Sequence, residues 1–429
     1  MNEIKKWTLY MMFLVAGFAT GIGTLGLFPQ FWLKYGLTGL VVHVLFLALF
    51  TYVAVLETET VMKSGYYFVE IYHKLFRRRA MIVSILVAVI IFLSYYTANT
   101  MLSILAPLLG TGTVGRLVAK VLMFALIFVV LTRAKEKSFA IMAVGSLVFV
   151  VAVAVTAVAF KTQIPENATF LGMAKHMLVA RTSLSLDLIR DAAMRAAYGV
   201  GLGFAFYLML GSFLNERFNP RLIIGTGILL QFFVSILSTV IVVYAIAPST
   251  PDRLLTYVYG GDEGAIALMG DLPIILKEYQ VLLFLIAISV FFAGLTSLLP
   301  TAEVGLQIIE SMFKMGRNRA TTYLLGASLA VGVIDAAPAI ADMALKAVTV
   351  SIFFTSIFEL WPVLNSKEKS PAIMGASVLA TLLFVVGGIY ALIMTFRAGG
   401  VYLLSGILAV LIVGFGFLGD RLLPAREEA

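Results

Sequence analysis

The sequence predicts an all-α polytopic membrane protein. Three observations say so. Hydrophobic residues make up 61% of the 429-residue chain and charged residues only 13%. Mean hydropathy is +1.02. Apolar stretches of roughly 20 residues recur from end to end, each long enough to cross a bilayer as a helix. A soluble chain of this length needs a charged surface that this composition does not supply.

Taken in order, the stretches give about twelve spans, near 8–33, 37–62, 81–109, 114–132, 138–160, 188–214, 221–247, 279–312, 319–339, 342–363, 371–395 and 399–419. Pro338 marks a tight outer turn between the ninth and the tenth. The first span begins near Trp7, is too long for a signal h-region and has no small-residue cleavage site behind it, so it is expected to stay in the membrane. With the N-terminus inside, 19 of the 31 basic residues fall on the inner face, among them Arg77, Arg78, Arg79, Arg133, Lys314, Lys367, Lys369 and Arg426. That bias orients the chain with both termini cytoplasmic. It also accounts for the net charge of +8 without nucleic acid. The chain is expected to form one transmembrane domain over 1–429. Zero cysteines exclude disulfides and thiolate sites, and the three histidines, His43, His73 and His176, are scattered.

Two spans carry glycine runs that a helix interior tolerates poorly. The first holds Gly17, Gly21, Gly23 and Gly26; the sixth holds Gly199, Gly201 and Gly203. One run alone is as well explained by close packing of small residues between helices. Two runs, each opening a set of five spans, are the signature of an inverted-repeat transporter, with repeats near 8–160 and 188–363 and two further helices at 371–419. Unwound backbone at mid-membrane is tolerable only where it lines a cavity or holds a ligand. The eighth span adds adjacent hydroxyls, Thr296 and Ser297, with Ala293 one turn earlier and Gly294 where the helix is expected to loosen. Neutral oxygens of this kind suit a monovalent cation. The plainer account of Thr-Ser in a helix is back-bonding to its own turn.

These stretches together resemble the neurotransmitter:sodium symporter family, which has the LeuT-type fold. Gly17-Phe18-Ala19-Thr20-Gly21-Ile22-Gly23-Thr24-Leu25-Gly26-Leu27-Phe28-Pro29 matches its first-helix pattern. Ser94-Tyr95-Tyr96-Thr97 matches its third. Ala293-Gly294-Leu295-Thr296-Ser297 followed by Glu303-Val304 matches its eighth. Ala197 to Ala205 is a degraded form of its sixth.

The resemblance implies a prokaryotic inner-membrane symporter that takes up a small amino-acid-like solute with sodium by alternating access. It implies one sodium site from Gly17, Thr20 and Ala293 carbonyls with Thr296 and Ser297 hydroxyls. It places the solute's carboxylate at the amides of Ile22 and Gly23 and the hydroxyl of Tyr96. The amine falls at carbonyls near Ala19, and the side chain among Phe92, Tyr198, Gly201, Phe204, Ser297 and Thr301. Leu27, Tyr96 and Tyr198 would form the outer gate.

The departures bear on the second sodium. Of that site, Ala19 remains, Thr24 stands in place of an asparagine, Gly199 in place of a hydroxyl residue, and the seventh helix offers no matched amide. One sodium per solute is therefore expected. The gate's arginine is Leu27 and its aspartate falls near Leu345, so closure by packing is expected. Arg195 replaces a glutamine and faces either an anion, Glu303 or outer water. Glu59 is expected beside Lys63, Glu303 in a paired or protonated structural role, His43 as an interior residue, and Lys5, Lys6 and Trp7 as an inner-face anchor or as a latch on Glu310.

Other classes fit less well. An intramembrane enzyme needs a catalytic dyad within the spans, and no such pair is seen. A channel needs a filter or a charged ring. A transport-inactive sensor, or a LeuT-fold transporter for a non-amino-acid solute, would share most of these features.

Overall fold

The computed structural model describes residues 3–133, 135–366 and 370–422. Lys367, Lys369 and Arg426, read above as inner-face charges, lie outside them. The helices are α1 (Glu3–Ala19), α2 (Ile22–Ser64), α3 (Phe68–Glu70) with a π-turn at Ile71–Leu75, α4 (Arg79–Leu109), α5 (Thr113–Leu131), α6 (Lys135–Gln163), α7 (Leu171–Val179), α8 (Leu186–Val200) and α9 (Phe206–Phe213). There follow α10 (Pro220–Ile246), α11 (Pro251–Tyr259), α12 (Gly261–Ile275), α13 (Gln280–Phe313), α14 (Arg317–Ile334), α15 (Pro338–Leu364), α16 (Pro371–Ala398) and α17 (Val401–Leu418). Among the described residues the sole β-type pairing is an isolated bridge between Gly36 and Arg181. Nine of the described helices are long and apolar enough to cross a membrane.

All twelve expected spans have a helical counterpart. The first is α1 plus the start of α2, and the second is the rest of α2 beyond a sharp turn at Gly36 (φ 56°, ψ −149°). The sixth is two short pieces, α8 and α9, separated at 201–205 by three residues with positive φ: Gly201, Gly203 and Ala205. The first break falls at Thr20-Gly21, and Gly23 and Gly26 lie inside α2. Pro338 opens α15 at its first turn, where its missing N–H is harmless.

The chain divides into two compact units. The first takes Met1–Phe50, Phe139–Val200 and Ile223–Ser297. One of its core clusters joins the segments after α6 and α10 to the long helices: Phe160, Ile164, Leu171 and Ala174 pack with Val234, Tyr244, Tyr257, Leu268 and Leu272. Gly36 anchors the turn of α2 against 178–182. Its φ is left-handed, and a Cβ there would lie 2.1 Å from the Ala180 carbonyl oxygen, so only glycine fits. The Leu37 amide donates to that same carbonyl at 2.9 Å, and Trp32 Nε1 donates to the Leu178 carbonyl at 3.1 Å. In the segment after α6, hydrogen bonds from Lys175 and Tyr244 hold the Glu166 carboxyl below the usual range. The Tyr257 hydroxyl, pushed up by burial, donates to the Gly26 carbonyl at 2.6 Å.

The second unit takes Thr51–Ser138, Gly201–Leu222 and Leu298–Ala429. It is built on α4, α5 and α14 to α17, which pack on one another. Buried hydroxyls fasten them: Ser84 donates to the Ile412 carbonyl at 2.8 Å, and Ser405 to the Met343 carbonyl at 2.9 Å.

Candidate functional site

A helix leaves its last carbonyls unpaired. α1 ends at Ala19 among buried residues, so those carbonyls must find partners there. The Ala16 carbonyl accepts the Thr20 hydroxyl at 2.6 Å, that of Gly17 accepts the Thr20 amide at 3.3 Å, and that of Phe18 accepts the Ser297 hydroxyl at 3.3 Å. A Cβ on Gly17 would lie 1.9 Å from Ser146 Oγ and 3.0 Å from Thr296 Cβ. Thus α1, α6 and α13 approach as closely as a glycine permits.

The structure therefore brings together all five expected sodium-site positions: Gly17, Thr20, Ala293, Thr296 and Ser297, each buried. α13 runs unbroken through Gly294, which corrects the expected loosening. The Thr296 hydroxyl back-bonds to the Phe292 carbonyl at 2.8 Å and lies 3.2 Å from that of Ala293. Its proton is committed and its lone pairs face away from that bond. Every oxygen here is neutral, and the C-terminal end of α1 presents the negative end of its dipole. Among the described residues no group of three or more His, Cys, Asp or Glu could hold a metal ion. A monovalent cation suits this donor set better than a divalent one. Ser146, buried on α6 beside Gly17, was not foreseen, because nothing in its local sequence ties it to residues 129 positions earlier.

Near Gly199 lies a group that sequence reasoning missed. Gly199 stays within α8, and a Cβ there would lie 3.4 Å from Gln231 Nε2. Gln231 is on α10, in the seventh expected span. Its Nε2 donates to Ser235 Oγ at 3.1 Å, while its Oε1 is buried with no hydrogen-bond partner. Ala19 is buried and Thr24 half-buried in the same unit.

The residues expected to hold the solute occur in both units. Ala19, Ile22, Gly23, Tyr198 and Ser297 belong to the first. Phe92, Tyr96, Gly201, Phe204 and Thr301 belong to the second. Within the second, Phe92 stacks on Tyr96 one turn along α4, with ring centroids 4.6 Å apart, and meets Phe204 at 4.8 Å. Thr301 is buried. Leu27 packs against the core cluster of the first unit.

The charged residues fall differently from several expectations. Both oxygens of Glu303, which is 0% exposed, are taken by Arg317 at 2.9 and 2.6 Å, with Gln307 adding a bond at 2.7 Å. The expected pairing of Glu303 is thus met from α14. Arg195 instead lies in electrostatic reach of His43 and Tyr257 in the first unit. Glu310 pairs with Lys135 at 3.8 Å. Glu59 accepts from Arg221 at 2.9 Å. His43 is interior as expected, packed on Phe28 and Phe31.

Comparison with solved structures places this geometry. MhsT, solved in complex with L-phenylalanine, superposes with a TM-score of 0.61 over 95% of this chain and 98% of its own, at 15% sequence identity. The fold is of the LeuT type. At that identity the likeness establishes architecture alone. No family model matches the chain, and no curated protein matches it in sequence.

Proposed function

We propose that the chain is a secondary active transporter of an amino-acid-like solute, driven by sodium. The observation that carries this is the convergence, within one unit, of the C-terminal end of α1 with the Thr296 and Ser297 hydroxyls. A pocket of neutral oxygens at a broken helix can replace the water shell of a bare monovalent cation. Sodium bound there would tie α1 to α13 and bias the chain toward one member of its conformational pair, and solute would bias it toward the other.

The L-phenylalanine found with MhsT makes aromatic and aliphatic amino acids the first solutes to test. The Phe92, Tyr96 and Phe204 cluster supports an apolar side-chain environment. The unpartnered Oε1 of Gln231, beside Gly199 and in the unit that holds Ala19 and Thr24, supports a second sodium in addition to the first. The positive-inside bias supports both termini in the cytoplasm and location in a cell's inner or plasma membrane.

The test is thermal stability of the purified protein with sodium or potassium as the only cation. A ligand that binds the native state raises stability by mass action, about 2.7 kcal/mol at a hundred times its Kd. Wild type is expected to melt higher in sodium, and Thr296→Ala with Ser297→Ala to lose that difference. Equal melting of wild type in the two cations would overturn the ion site.

A further inference from the structure

The second unit buries two acids that the sodium site does not use. Glu359, on α15, is 0% exposed, and Glu57, on the second span, is 1% exposed. Hydrogen bonds bring them near each other: Thr58, next to Glu57 in the chain, bonds the Tyr207 carbonyl, two residues beyond the Ala205 amide that Glu359 holds. Their surroundings differ. The two oxygens of Glu359 accept the backbone N–H groups of Gly203 and Ala205, the amides exposed where the sixth span breaks and α9 begins. Glu359 is thus the acceptor that satisfies the break, and the positive end of α9 favours its charge. Both oxygens of Glu57 are buried and have no hydrogen-bond partner.

The neighbours supply no countercharge. From the π-turn, Tyr72 lies in electrostatic reach of both carboxylates, as does Tyr207 from α9. Tyr72 donates its proton to the Phe358 carbonyl, and beside Glu57 the Thr58 hydroxyl donates to the Tyr207 carbonyl at 3.0 Å. Among the described residues neither glutamate has an ion-pair partner. Two adjacent carboxylates, sealed from water with donors for only one, do not both ionise.

We propose that Glu57 and Glu359 form a proton-binding site at the break of the sixth span, holding one proton that resides on Glu57. Glu359 keeps its charge because two amides and a helix end stabilise it; Glu57 has nothing to stabilise a charge. The site has a consequence for motion. Any step that draws the Gly203 and Ala205 amides from Glu359 strips that carboxylate of its donors, so Glu359 then competes for the proton. Any step that opens the site to water lets Glu57 release it. Rearrangement of the broken helix is thereby linked to proton exchange. That last consequence rests on the transport function proposed above; the site itself does not.

Infrared spectroscopy of the full-length protein in detergent tests it directly. At neutral pH an exposed glutamate, with a pKa of about 4.3, is ionised, and the buried acids Glu303 and Asp335 are paired with Arg317 and Lys120. A carbonyl stretch from a protonated carboxylic acid is therefore expected in wild type at neutral pH. It should disappear in Glu57→Gln, whose neutral amide replaces the neutral acid. It should also disappear when wild type is unfolded at the same pH, a reading that needs no variant. In vesicles, solute uptake by wild type should respond to an imposed pH gradient and that of Glu57→Gln should not. Absence of the band from wild type, or its persistence in Glu57→Gln, overturns the site. A band that behaves as expected in a protein that moves no solute upholds the site and refutes the transport function instead.

Discussion

Lys120 and Asp335 form an ion pair inside the second unit, with side chains 0% and 2% exposed. Asp335 caps the C-terminus of α14, where the helix dipole disfavours a negative charge. It is held there by Lys120 from α5 and by the Ser94 hydroxyl, which donates to its other oxygen at 2.6 Å. Gly332 makes room: a Cβ there would lie 3.2 Å from Lys120 Cδ. Asp335→Asn leaves the ammonium buried opposite an uncharged amide, and Lys120→Met leaves the carboxylate with only Ser94. Removing one partner of a buried pair costs about 3–5 kcal/mol, whereas replacing both by apolar residues of similar volume is often neutral or stabilising. Lys120→Met with Asp335→Leu should therefore be far more stable than the sum of the singles implies. The coupling expected from that difference is several kcal/mol, well beyond the ~0.5 kcal/mol scatter of independent sites. Unfolding of the four proteins in mixed micelles, followed by circular dichroism, closes the cycle. Additive singles would show that the pair is wet or unformed and would refute the reasoning.

Further outcomes follow from single contacts. Gly36→Ala meets both a left-handed φ and the Ala180 carbonyl at 2.1 Å, so it should lower stability by more than the ~1–2 kcal/mol of the conformation alone, read as a drop in melting temperature. Gln231→Leu removes the buried Oε1 and should weaken the sodium-dependent gain in melting temperature without abolishing it, since Thr296 and Ser297 remain. Arg317→Met strands the Glu303 carboxylate, which is 0% exposed, and should cost about 3–5 kcal/mol, with Glu303→Gln as a partial rescue in the same melt. Glu166, held below the usual range by Lys175 and Tyr244, contributes stability that is present above its ordinary value of about 4.3 and lost as pH falls through the lower folded value. Glu166→Gln should accordingly lower the melting temperature at neutral pH but not in strong acid.

The architecture was legible because its signals are local. Span length and polarity recur along the chain, and glycine in an apolar helix marks a break wherever the helix lies. Even so, the runs located the breaks only broadly. Gly23 and Gly26 stay helical, while Ala205 takes a left-handed φ of 58° where the sequence shows an ordinary alanine. The site was legible in part. Thr296 and Ser297 announce themselves as adjacent hydroxyls, and the carbonyl positions around Gly17 came only from the family resemblance. Ser146, Gln231 and Glu359 were not legible, since each acts through a neighbour far away in sequence. Glu57 shows the limit of spacing arguments. The sequence reading singled out Glu59, but residues two apart on a helix point about 200° apart. The fold turns Glu57 inward, and Glu59 meets Arg221.

Sodium-driven uptake is tested most directly in vesicles. Wild type and the Thr296→Ala, Ser297→Ala double variant would be reconstituted under an inward sodium gradient and offered labelled amino acids, L-phenylalanine among them. At least one amino acid should accumulate above its external concentration in wild type, collapse when the sodium gradient is dissipated, and fail to accumulate in the variant. Accumulation that persists with potassium in place of sodium, or that survives in the double variant, would contradict sodium coupling through Thr296 and Ser297.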